Sequence, residues 1–208
     1  MSAESFVDAF KQARASAIVR TNDQRVAADA MEAAVRGGFR MIEFTLTIPG
    51  AFELIEEFSR RPGLRVGAGT VLSVEDARRA VRAGAECLVS PVFDERVVAA
   101  AAALDVAAMP GVHTATELFA AHRSGAQLQK LFPAPAGGPA YVRSVLGPLP
   151  FLNIVPTNGV DVSNAGAWLD AGAVALGFVT ALFDPTDMQA RAFDRIERRA
   201  SEILAAVA

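Results

Sequence analysis

Of the 20 basic residues in this 208-residue chain only two are lysines, Lys11 and Lys130. Lysine, unlike arginine, can give up its proton and act as an amine nucleophile, so a lysine kept at an apolar place in an arginine-rich chain draws attention, although a codon bias toward arginine produces the same excess. Lys130 sits in the run Leu128-Gln129-Lys130-Leu131-Phe132, which reads as a strand packed on both sides. Desolvation there disfavours the ammonium and favours the free amine that attacks a ketone. The iminium so formed withdraws electrons from the bond to be broken, which is the chemistry of an aldolase that needs no metal. Glu43 is the one carboxylate in a second apolar run, Met41 to Leu46. An ionised side chain is costly there without a partner, and apolar surroundings favour its protonated form and suit it to proton transfer. The alternatives are a Lys130 that snorkels to solvent from a strand end and a Glu43 that pairs structurally with Arg20.

Both side chains need a scaffold that brings strand ends together. Eight short apolar runs read as strands: Ala15 to Arg20, Met41 to Leu46, Arg65 to Gly69, Cys87 to Ser90, Ala107 to Met109, Gln127 to Phe132, Leu152 to Pro156 and Val174 to Phe178. Unbroken apolar character without alternation fits a parallel sheet buried on both faces, and a spacing of about 20 to 25 residues suits βα units. Helical periods fill Gln24 to Arg36, Val74 to Ala83, Asp94 to Leu104 and Thr114 to Arg123, with a short helix Ala3 to Ala13 before the first strand and a longer one, Asp187 to Val207, after the last. Gly38, Gly84, Gly125 and Gly172 fall where a helix ends before the next strand. The expected fold is α/β, a single (β/α)8 TIM barrel with an additional N-terminal helix, in one domain spanning 1–208; an open doubly wound sheet is the alternative. In such barrels the working residues gather at the C-terminal ends of the strands, where this chain reads IEFTLT, VGAGTV, VSP, MPGVHT, LQKLFPA and VPTNG.

In this order the fragments resemble the class I family of 2-keto-3-deoxy-6-phosphogluconate aldolase and its relatives acting on 4-hydroxy-2-oxoglutarate and on the galactonate epimer. The similarity runs from Ala17 to about Thr180 and is most specific in GAGTV, Gly67 to Val71, and KLFPA, Lys130 to Ala134. The resemblance implies that Lys130 forms the Schiff base and that Glu43 is its general acid and base. It implies that Thr70 binds the substrate carboxylate, after two glycines that let the backbone approach a ligand closely, and that Pro91 lines the pocket, with Phe132 beside the lysine. Thr157 matches a threonine associated with stereochemical choice at the hydroxyl carbon and leans toward the gluconate configuration. On the residues alone, GAGT also reads as a tight strand-to-helix junction, and Pro91 and Thr157-Asn158-Gly159 as ordinary turns.

Two departures from the family pattern bear on substrate. The pattern Glu-x-Thr-x-Arg, whose arginine clamps the keto-acid carboxylate, ends here in Thr47. A neutral hydroxyl bond is roughly half as strong as a charge-assisted one, so Arg20 is the natural substitute, although it also suits the far end of the substrate. The family's phosphate pattern, Thr-Gly-Gly and then Gly-Ser, becomes Thr157, Asn158, Gly159 and Gly177, Phe178, Val179, Thr180. Val179 stands where a glycine N–H would approach phosphate, Thr180 keeps a hydroxyl, and Phe178 is expected to make the pocket smaller or more apolar. The resemblance implies 2-keto-3-deoxy-6-phosphogluconate as the substrate, and the departures make a non-phosphorylated 4-hydroxy-2-keto acid, such as 4-hydroxy-2-oxoglutarate, the alternative.

A formal net charge of −3 and a pI near 5.5 carry no footprint for nucleic acid or an anionic membrane. One cysteine, Cys87, allows no internal disulfide, and His113 and His122 show no metal-ligand spacing. No metal or cofactor is expected, and the chain reads as cytoplasmic; the resemblance implies a homotrimer. His113 is expected to cap or face solvent rather than touch substrate, and Cys87, Tyr141 and Trp168 to pack. The rival readings are a phosphosugar isomerase working without a covalent intermediate and a catalytically lapsed barrel that binds a keto acid.

Overall fold

The computed structural model describes residues 2–208. Its parallel strands are β1 (Ala15–Val19), β2 (Met41–Thr45), β3 (Arg65–Gly69), β4 (Cys87–Val89), β5 (Ala107–Met109), β6 (Gly111–Val112), β7 (Gln129–Leu131), β8 (Ile154–Pro156) and β9 (Leu176–Phe178). They form a curled sheet in two ladders, ordered β5-β4-β3-β2-β1-β9 and β6-β7-β8. Between the ladders, Thr157 bridges Gly177 and the Val174 N–H donates to the Ile154 carbonyl at 3.0 Å. The fifth run continues past Met109, but Pro110 has no N–H and splits it into β5 and β6. The carbonyl of Pro110 still accepts from the Lys130 N–H at 3.0 Å, which fixes the height of the lysine strand.

The sixth run is shorter than its apolar pattern suggests. The Gln127 side-chain carbonyl takes the Ala108 N–H and that of Gln129 takes the Asn153 N–H, so amide side chains replace ladder partners where the strand was expected to begin.

The helices are α1 (Ala3–Ala13), α2 (Gln24–Arg36), α3 (Ala51–Ser59), α4 (Val74–Arg82), α5 (Glu95–Ala103), α6 (Ala115–Arg123), α7 (Pro139–Leu146), α8 (Ala165–Asp170), α9 (Pro185–Ala190) and α10 (Phe193–Val207). Asp23, Ser73, Asp94 and Thr114 start α2, α4, α5 and α6 by accepting a first-turn N–H. Gly38, Gly84, Gly125 and Gly172 all have positive φ, as their places after helices require. The single helix expected over Asp187 to Val207 is instead two: Arg191 adopts φ 52° and its N–H bonds back to the carbonyls of Asp187 and Met188, ending α9 before α10 begins.

Two apolar layers hold the sheet. Its outer side packs on the helices, as in the edge-on pairs Phe44–Phe58 and Phe39–Phe178. Inside the curl, Met41, Cys87, Ala107, Leu128 and Ala175 stand at the beginnings of strands, and Phe6 and Phe10 of α1 close over them. That end is therefore shut, leaving the C-terminal ends of the strands as the open face.

Candidate active site

Lys130 and Glu43 meet inside the curl from β7 and β2, with Nζ 3.8 Å from Oε1 and side chains only 7% and 2% exposed. Lys130 Nζ also lies 5.5 Å from the centre of the Phe132 ring, an attraction for its charged form. Lys130 is thus drawn inward rather than snorkelling, and the cation facing Glu43 is Lys130, not Arg20. At 3.8 Å the pair is close enough to attract and too far apart to share a hydrogen bond. Neither oxygen of Glu43 has a hydrogen-bond partner among the described residues. A buried carboxylate left so is poor for stability and apt for a reacting group.

Gly69 is what admits that carboxylate. A Cβ on residue 69 would lie within van der Waals overlap of Glu43, 2.1 Å from Oε1, whereas one on Gly67 would meet nothing closer than 3.6 Å. The glycine at 69 therefore serves Glu43, where the sequence pattern suggested close approach to a ligand. Thr70 follows with φ 60°, a left-handed conformation that is strained for a β-branched residue and is typical of positions fixed by function. The Cys87 thiol, deep in the same interior, is pushed well above its ordinary range by burial and then by the negative charge of Glu43.

At the next level up, Thr157 is 1% exposed and its hydroxyl has no partner among the described residues. Gly177 is again cut to fit a side chain: a Cβ there would come 2.4 Å from Thr157 Oγ1 and 2.9 Å from Ile18, so it makes room for Thr157 rather than for phosphate. The open face holds a cavity of about 600 Å3 whose walls include Lys130, Phe132, Thr157, Asn158, Val179 and Thr180. Arg20 also faces this cavity. Phe178 does not: it is fully buried against Phe39 on the helix side, so it cannot narrow the pocket as expected.

Several expected residues stand outside the cavity wall. Thr47 is exposed and its hydroxyl bonds that of Thr45 at 2.9 Å, so it does not take over the role of a carboxylate clamp. Pro91 is held by its carbonyl against Gly111, where a Cβ would come within 2.3 Å. Gly159, with φ 108°, shapes the turn against Ala134. His113 is exposed and off the cavity wall: its Nδ1 lies 3.1 Å from the Pro133 carbonyl, and its own carbonyl accepts from the Tyr141 hydroxyl at 2.9 Å. Among the described residues no group of three or more His, Cys, Asp or Glu is placed to hold a metal ion.

Two segments of the wall escaped the sequence reading. One is Thr21-Asn22-Asp23 after β1, a polar run directly following a strand; the other is the stretch from Phe183 to Arg191, which supplies Phe183, Pro185, Met188, Gln189 and Arg191. The signal for the second was the Asp184-Pro185 pair, a helix start lying inside what was read as a loop.

Residues 7–199 match the model of the KDPG and KHG aldolase family. The chain belongs to this family and is an aldolase, a carbon–carbon lyase. This aldolase is similar to the 2-dehydro-3-deoxy-phosphogluconate aldolase of Pseudomonas aeruginosa, 38% identical over 144 residues that make up 68% of this chain and 64% of that protein. It is also similar to the 2-dehydro-3-deoxy-6-phosphogalactonate aldolase of Escherichia coli K12, 32% identical over 81% of this chain and 86% of its relative. The structure of the 2-keto-3-deoxy-6-phosphogluconate aldolase of Zymomonas mobilis ZM4 with 3-phosphoglycerate superimposes with a TM-score of 0.82 at 29% identity, covering 97% of this aldolase and 98% of that chain.

Proposed function

We propose that this aldolase works through a Schiff base on Lys130 and reversibly cleaves a 2-keto-4-hydroxy acid, foremost 2-keto-3-deoxy-6-phosphogluconate, to pyruvate and glyceraldehyde 3-phosphate. The observation that carries the reading is the buried Lys130–Glu43 pair, an amine and a carboxylate 3.8 Å apart with no other hydrogen bond claiming the carboxylate. Lys130 gives up a proton to Glu43, and its free amine attacks the C2 carbonyl to give a carbinolamine. Glu43 delivers the proton with which its hydroxyl leaves as water, forming the iminium. Glu43, now a carboxylate, takes the C4 hydroxyl proton; the C3–C4 bond breaks, its electrons pass into the iminium to give an enamine, and the aldehyde departs. Protonation of C3 and hydrolysis of the iminium release pyruvate and restore the amine.

The other residues follow from their places. Thr70, directly after Gly69 at the end of β3, offers its hydroxyl to the keto-acid carboxylate. The partnerless Thr157 hydroxyl suits the substrate's C4 hydroxyl and supports the gluconate configuration. Asn158 and Thr180 border the distal side, where Val179 on the cavity wall also favours a second substrate, the non-phosphorylated 4-hydroxy-2-oxoglutarate. With no arginine at 47, the keto-acid carboxylate is held by neutral donors, and Arg20 on the cavity wall serves the far end of the substrate. We further propose that the two ladders close into one eight-stranded (β/α)8 barrel with α1 as an extra N-terminal helix, that 1–208 is one domain, and that the enzyme is a cytoplasmic homotrimer.

The decisive experiment is borohydride reduction in the presence of pyruvate followed by mass spectrometry. A pyruvyl adduct on Lys130, absent from Lys130→Ala together with all cleavage, is the expected result. An unmodified Lys130 in a chain that still turns over the sugar acid would replace this mechanism with a non-covalent one.

A further inference from the structure

We infer that Arg191 is a specificity-determining residue of this aldolase and that, with Arg20, it holds the acidic group at the far end of the substrate, a phosphate or a carboxylate; this rests on the aldolase reading above. Both arginines border the cavity that contains Lys130, and a cavity of about 600 Å3 is far larger than a pyruvyl unit requires. The strand-end segments that would supply phosphate with backbone N–H groups are altered here. Gly177 is occupied by the Thr157 side chain, and Val179 adds bulk to the wall. The charge needed to bind an anionic end must then come from side chains, and outside Lys130 the cations on this wall are Arg20 and Arg191.

The place of Arg191 is built rather than accidental. Its backbone is left-handed, φ 52°, where α9 stops. Four residues earlier Asp187, 1% exposed, is clamped by Arg199 at 2.6 Å and Arg195 at 3.0 Å, both from α10. Arg199 also donates to the Leu182 carbonyl at 2.8 Å, and the Ala192 N–H to the Asp187 carbonyl at 2.9 Å. The whole stretch from Leu182 to Ala192 is thereby fixed to the C-terminal helix, so Arg191 is presented from a rigid wall. Its own ion partner is Asp23 at 3.9 Å, with both side chains about half exposed. Asp23 also caps α2 through its Oδ1, so a loose exposed pair of this kind contributes little to stability and leaves the guanidinium free to turn to a bidentate anion.

The test compares the wild type, Arg191→Gln and Arg191→Lys on three substrates that share the keto-acid head: 2-keto-3-deoxy-6-phosphogluconate, its parent without the phosphate, and 4-hydroxy-2-oxoglutarate. Arg191→Gln is expected to lower the ratio of kcat/KM for an acidic-ended over the neutral-ended substrate by about tenfold, mainly through KM, with Arg191→Lys recovering part of it. A fall for the phosphate alone, the second carboxylate alone or both identifies the group that is read. A ratio unchanged for both acids overturns the proposal. Calorimetric titration with glycerol 3-phosphate and with glycolate reads the same site without any chemistry. If affinity for both is the same in Arg191→Gln as in the wild type, the inference fails even where Lys130 is trapped. If affinity falls while wild-type Lys130 takes no pyruvyl adduct, the Schiff-base mechanism alone fails.

Discussion

At the scale of single residues, the site is made as much by two glycines as by the lysine and glutamate that attract attention. Alanine at 69 would drive its Cβ into the Glu43 carboxylate, whereas alanine at 67 would make only ordinary contacts. Gly69→Ala is therefore expected to displace the proton-transfer group and lower kcat by about tenfold or more, within the range that acid–base catalysis supplies. Gly67→Ala is expected to stay within about twofold. Steady-state cleavage rates of the two purified variants, with circular dichroism to verify folding, check this; equal rates would show that Gly69 is spaced for something other than Glu43. The sequence revealed Lys130 and Glu43 because charged residues in apolar runs are visible without coordinates. It did not show what Gly69 and Gly177 accommodate, because a glycine's reason for being glycine lies in the residue that packs over it: Glu43, two residues before Thr45, the partner of Gly69 in β2, and Thr157, just past the end of β8.

At the scale of elements, all eight strand runs were legible, as were the helices that Asp23, Ser73, Asp94 and Thr114 announce locally. Helices α3, α7 and α8 were not: Gly50, Gly138-Pro139 and Asn164 start them without a side-chain cap bond. The best-announced start, at α6, has a pH consequence. Glu117 accepts from the N–H groups of His113 and Thr114 at 3.0 and 2.8 Å and from the Thr114 hydroxyl. These bonds hold its carboxyl below the usual glutamate range, the His113 N–H contributing most. A carboxyl lowered in the folded state stabilises above its unfolded value, about 4.3, and that contribution is lost as pH falls through the folded value. Glu117→Gln is expected to be less stable than wild type at neutral pH, by under about 1 kcal/mol because the group is exposed. Urea denaturation at several pH values should show the gap closing below pH ~4. A gap that persists or widens on acidification would mean the cap is not carried by the charged form.

For the whole molecule, one end is closed and the other reactive, and the interior between them links the two. The sequence offered α1 only as a helix preceding the first strand; that Phe6 and Phe10 cover the beginnings of the strands depends on how the sheet curls, which no local pattern encodes. Phe10 is 1% exposed among Met41, Cys87, Val89, Met109 and Val155, and Cys87 in turn feels the charges of Glu43 and Lys130. Phe10→Ala should remove ~3 kcal/mol or more by leaving a cavity. The Cys87 thiol reports where that loss is felt. With its pKa raised by burial and by Glu43, it carries almost no thiolate at neutral pH, so alkylation of the wild type is expected to be slow until the chain unfolds. If α1 shuts this end of the curled sheet, Phe10→Ala accelerates alkylation under native conditions by more than its loss of global stability accounts for, because water then reaches the thiol without unfolding. Iodoacetamide labelling rates set beside urea-derived stabilities decide the matter: acceleration equal to the stability change would mean that the thiol is exposed only by global unfolding and that α1 contributes packing energy without acting as a seal.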